Sequence, residues 1–97
     1  MATYIVLGNF TDQGIRNVKD TVKRAETLRQ MAKKCGATVK DVYWTLGAFD
    51  TLSIIEAPDE AAITALGLSV GTSGNLRTQT LRAFSADEIA QVLTRMG

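Results

Sequence analysis

The spacing of apolar residues in this chain switches repeatedly between alternation and steps of three and four, and the order of those switches restricts the folds open to it. Residues 3–10 (TYIVLGNF) are rich in β-branched and aromatic types and read as a strand. Tyr4, Val6, Gly8 and Phe10 then point to one side, and Ile5, Leu7 and Asn9 to the other. From Thr11 the period changes. Ile15, Val18, Val22, Ala25, Leu28, Ala32 and Cys35 form the stripe of one long amphipathic helix, capped by Thr11 or Asp12 and followed by Gly36. Arg16, Lys19, Lys23 and Lys34 gather opposite that stripe, whereas Arg29 falls near it and must snorkel or find a partner.

Residues 37–46 and 50–57 read as two strands joined by Gly47-Ala48-Phe49, a link suited to a hairpin with a bulge. Pro58, preset for a first helical turn, with Asp59 and Glu60, opens a second helix along Ile63, Leu66 and Val70. After a loop at 71–74, residues 75–84 form the last strand. Ser85-Ala86-Asp87-Glu88 is a capping box, and Ile89, Val92, Leu93 and Met96 give the closing helix one apolar face.

The order β-α-β-β-α-β-α in 97 residues predicts a single domain over residues 1–97. It is α+β: a ferredoxin-like βαββαβ antiparallel sheet of four strands, two helices on one face, and an additional C-terminal helix. The strands are apolar on both sides, with Tyr43 between Val42 and Trp44 and with Ile54 beside Ile55. Such strands are usually buried on both sides. A twofold partner packing sheet against sheet is the simplest cover, and a small cavity is expected between the two sheets.

Composition removes several function classes. Net charge is +1, unlike a dedicated nucleic-acid binder, although residues 11–35 hold seven Lys and Arg against three Asp and Glu. The chain has no histidine, so no Ser-His-Asp or Cys-His pair exists. One cysteine, Cys35, forms no internal disulfide. Gly71–Gly74 lacks the pattern of a phosphate loop. Met1-Ala2-Thr3-Tyr4 leads straight into strand residues, and no apolar run spans a bilayer, so a cytoplasmic protein without membrane contact is expected. The residues imply no metal and no cofactor.

Several segments together resemble the GYD domain family: VYWTLGAFD at residues 42–50, the Ala57-Pro58-Asp59 step, NLRTQTLRAF at 75–84 and the opening YIVLGNFTDQGIRNVKDTVKRA at 4–25. The resemblance covers the chain to Phe84 and implies a dimeric α+β barrel without implying an activity. Phe49 stands where the family's naming motif has tyrosine, so no role carried by that hydroxyl transfers here.

The candidate site residues each admit two readings. Asp50 is either a carboxylate at a cavity mouth, a candidate catalytic base, or a turn residue accepting backbone N–H groups. Tyr43 and Trp44 face opposite sides of a strand, so one belongs to packing and the other to a ligand wall or interface. Arg77 and Gln79 share one face of the last strand, suited to an anion or to an intersubunit ion pair. Asn9 joins a polar cluster or caps a turn. Three functions fit: a homodimer binding a small molecule through Trp44, Tyr43, Arg77, Gln79 and Asn9; a cofactor-independent monooxygenase or isomerase using Asp50; and a protein-interaction module using the basic helix.

Overall fold

A computed structural model describes residues 1–97. The strands β1 (Ala2–Phe10), β2 (Thr38–Trp44), β3 (Thr51–Ala57) and β4 (Leu76–Ala83) form one antiparallel sheet in the order β2-β3-β1-β4. That is the split βαβ order of a ferredoxin-like α+β fold. The helices are α1 (Asp12–Arg16), α2 (Thr21–Lys34), α3 (Glu60–Thr72) and α4 (Ala86–Leu93). None is long and apolar enough to cross a membrane.

The long first helix expected from the sequence is broken. After α1 the chain passes through Asn17, with φ −108° and ψ 29°, into a 3-10 turn at Val18–Asp20 before α2 begins. Side-chain hydrogen bonds hold both ends of α1. Thr11 Oγ1 accepts from the Gly14 N–H, and Arg24 donates to the carbonyls of Asn17 and Gly14, closing the end of α1. Ile15 and Val22, counted into the expected stripe, are therefore exposed. Arg29 finds its partner by donating to the Val39 carbonyl at 3.0 Å.

Two smaller corrections concern turns. The β2–β3 link runs from Thr45 to Asp50 rather than over three residues, and the bulge lies inside β2, between Val39 and Asp41. Pro58 precedes the helix instead of entering its first turn. Asp59 is the cap, its carboxylate accepting from the Ala62 N–H at 2.9 Å. The capping box at Ser85 and Glu88 is present as read.

The pairing register fixes which residues meet on the helix side. One row across the sheet is Val39, Ile55, Tyr4 and Arg82; the next is Val42, Ser53, Val6 and Thr80; the third is Trp44, Thr51, Gly8 and Thr78. Large buried residues occupy the first row, where Ala32 of α2 and Ile63 and Leu66 of α3 close over Tyr4, Val39 and Ile55. Beyond Trp44 the third row consists of small residues. A Cβ at Gly8 would overlap Thr51 Oγ1, so glycine is what lets that hydroxyl lie over β1.

The other side of the sheet has no helix. Ile5, Leu7, Leu52 and Ile54 are half-buried there, and Tyr43 and Leu81 are exposed. No other helix or strand packs along α4. Its tie to the sheet is Arg82, which lies over the Phe84 ring and pairs with Glu88 at 3.1 Å. The protruding helix makes the radius of gyration 14.5 Å, against about 12.5 Å for a compact chain of this length. The closing helix expected from the sequence thus closes nothing within its own chain.

Candidate functional site

Between the helix side of the sheet and the helices α2 and α3 lies a cavity of about 180 Å³. Its floor is the small end of the sheet, with Thr51 and Ser53 buried and Thr78 and Thr80 lining its exposed edge. Leu28 and Met31 from α2 and Val70 from α3 form apolar walls. Trp44 lines the cavity while remaining half exposed, so its indole stands at the edge. The indole N–H donates to Thr21 Oγ1 at 2.9 Å, which fixes the ring against the start of α2.

Arg24 is the one ionisable residue in the lining. Its Nη1 donates to the Asn17 carbonyl at 3.0 Å and its Nη2 to the Gly14 carbonyl at 3.1 Å, while its guanidinium carbon lies 6.0 Å from the Phe10 ring centroid. That guanidinium holds the α1–α2 corner while keeping its charge and its remaining N–H groups. Apart from Arg24 and the Asn75 amide the cavity wall is apolar and hydroxyl-bearing, with no carboxylate, lysine or cysteine to move a proton.

The residues singled out from sequence divide between the two sides of the sheet. Trp44 faces the cavity; Tyr43, Asn9, Arg77 and Gln79 lie on the open side. There Tyr43, Leu52, Leu7 and Gln79 form one row across all four strands, and Asn9 pairs with Arg77. Turned so that both groups are satisfied, the Asn9 amide donates to the carbonyls of Gly8 and Ala48 at 3.1 Å each. Asp50 stands outside the cavity lining. Its Oδ2 accepts from the Phe10 N–H at 2.9 Å, and its own N–H donates to the Gly8 carbonyl at 2.8 Å, an arrangement that ties the hairpin link to β1.

Sequence reasoning missed Thr51, Ser53, Thr78 and Thr80 as a group. Their signal was small hydroxyl residues at inward positions of two strands beside Gly8, and it becomes visible only once three strands are in register. The cavity of a single chain lies on the helix side of the sheet, whereas the one expected from the doubly apolar strands lies between two copies.

A four-stranded antiparallel sheet with helices on one face and a hydroxyl-lined cavity beneath them defines a small ferredoxin-like α+β domain. Residues 4–93 match the GYD domain, and the chain belongs to that family. A protein of Thermus thermophilus, named glutamine synthetase and cystathionine beta-lyase binding protein, is 33% identical over 94 residues, spanning 95% of this chain and 99% of that protein. A solved structure, also from Thermus thermophilus, shares the fold with a TM-score of 0.56 at 23% identity, covering 89% of this chain and 96% of the other.

Proposed function

We propose that this protein is a homodimer that binds other proteins, with metabolic enzymes as its partners. One observation carries the reading: the open sheet face and the stripe of α4 are both apolar and both lack a partner within the chain. Only 12 of 97 residues are buried, so a lone chain leaves unusually much apolar surface in water. A second copy packed on the open face covers it, and each α4 reaches across to the other sheet. The surface left for a further partner is the α1–α2 side, where Lys19, Lys23, Lys33 and Lys34 are exposed. That basic side suits an acidic patch on an enzyme. The relative from Thermus thermophilus, similar over nearly its whole length, is named for binding glutamine synthetase and cystathionine beta-lyase. A cytoplasmic setting belongs to this reading, since the single unpaired Cys35 fits a reducing compartment.

Titration of the purified protein against glutamine synthetase and cystathionine beta-lyase from its own source tests the reading. Saturable binding that weakens between about 50 and 300 mM salt is expected. Silence toward both enzymes at low salt would overturn it.

A second reading rests on the cavity: the protein holds a small molecule beneath α2 and α3. The lining offers hydrogen-bonding hydroxyls and an aromatic edge but no acid–base pair, which favours binding over turnover. Asp50, the base considered for a monooxygenase or isomerase, is engaged with the Phe10 backbone. Native mass spectrometry of gently purified protein should find removable mass on the dimer. Mass that never exceeds the bare chains, even after incubation with a metabolite extract, argues against this reading.

A further inference from the structure

We infer that the cavity beneath the helices receives a small, neutral, monocyclic molecule bearing one hydroxyl or carbonyl group, of the phenol class. This deepens the small-molecule reading and rests on it. Four features of the site select the class.

The first is the floor. A sheet face covered by helices is ordinarily filled by large apolar side chains, as it is here at Tyr4, Val39 and Ile55. At the other end the same strands present Thr51, Ser53, Thr78 and Thr80 around Gly8. Thr51 and Ser53 retain only 7% and 6% of their exposure. No hydroxyl there is sealed off without a partner, so those that face the cavity can still meet a polar group on a guest. Valine in place of threonine would pack equally well but offer no such contact.

The second feature is neutrality. The only charge in the lining is Arg24, and its terminal nitrogens already donate to two backbone carbonyls. An ammonium group finds no carboxylate inside, and a carboxylate finds only the N–H groups of Arg24 that the α1–α2 corner leaves over. The ammonium would be stripped of water without compensation, and the carboxylate would have to compete with the Asn17 and Gly14 carbonyls for Arg24.

Size is the third. An apolar cavity of about 150 Å³ accommodates benzene, so about 180 Å³ holds one six-membered ring and a polar substituent. The fourth is the wall: Trp44 and Phe10 supply aromatic faces, and the flexible thioether of Met31 adapts to a ring edge.

Trp44 is the only tryptophan in the chain, which makes its emission a reporter placed at the site. The full-length protein is titrated with p-cresol, toluene, benzoate and benzylamine while Trp44 fluorescence and thermal stability are followed. Expected is a saturable change with p-cresol at a dissociation constant between roughly 10 µM and 1 mM. Benzoate and benzylamine should bind at least about ten-fold more weakly. Ser53→Ala combined with Thr51→Val should erase the preference for p-cresol over toluene. Ser53→Leu, or Thr80→Leu if the first variant misfolds, should fill the space and abolish binding of all four probes. Benzoate or benzylamine matching p-cresol would overturn the neutral class while leaving the cavity as a binding site. No response to any probe, with Thr80→Leu indistinguishable from wild type, would remove both.

Discussion

Replacing Ile89 and Leu93 together by serine should separate the dimer without unfolding the chain. The two residues are four apart, share one face of α4, and are 41% and 56% exposed in the single chain. Full burial of such a side chain stabilises by about 1.5–3 kcal/mol. With roughly half of each surface still available to a partner, each residue contributes about 0.7–1.5 kcal/mol on association. Two residues in each of two copies give about 3–6 kcal/mol, or two to four powers of ten in dissociation constant. Because no other element packs along α4, the variant's core should melt like that of the wild type once both are monomeric. Sedimentation velocity over a concentration series measures the constant, and far-UV circular dichroism checks the fold. A wild type that sediments as a 10.5 kDa monomer at tens of micromolar would refute the argument. So would a double variant whose dimer constant stays within a factor of three of wild type.

Three further outcomes follow from the packing. Leu66→Ala, at 1% exposure beneath α3, should lower stability by about 2–5 kcal/mol in urea denaturation; a loss under about 1 kcal/mol would contradict its place in the core. Gly14→Ala sets a methyl group against the Asn75 carbonyl, backbone against backbone, so α1 must shift and stability should fall by about 1–3 kcal/mol in the same assay. Glu88 is held below the ordinary glutamate range, chiefly by the Ser85 N–H and then by the Arg82 guanidinium. A depressed carboxylate stabilises above its unfolded pKa and loses that contribution as pH falls through the lower folded value. Acidification should therefore fray α4 first, seen as a loss of helical signal that Glu88→Gln no longer shows.

The split βαβ order was legible from the succession of strands and helices, and which residues of β1 and β4 share a face followed from the two-residue period of a strand. The capping box was legible for a local reason, since Ser85 and Glu88 satisfy each other's backbone within one turn. The helix break was not. Ile15, Val18 and Val22 keep the helical spacing across Asn17, so periodicity alone continues the stripe. What decides the break is tertiary: Gly14 lies against the Asn75 backbone and Arg24 caps α1 from the next helix. The β2–β3 link was misjudged for a related reason. Asp50 is drawn out of β3 by its bonds to Gly8 and Phe10, contacts with a strand forty residues earlier. The candidate site was half legible. Trp44 was found from its residue type, whereas the hydroxyl floor depends on relative register, which no single segment encodes.

The strand β3 shows why the two proposed surfaces can be tested apart. Thr51, Ser53 and Ile55 point toward the helices, and Leu52 and Ile54 point to the open face. The same alternation runs through β1 and β4, so the cavity and the sheet interface share backbone but no side chain. A polar substitution at Ile54 should therefore weaken dimerisation while the Trp44 emission still responds to p-cresol. Ser53→Leu should do the reverse. If both variants lost both properties, the sheet itself would have been deformed. Separate losses instead tie ligand binding to one face of the sheet and self-association to the other.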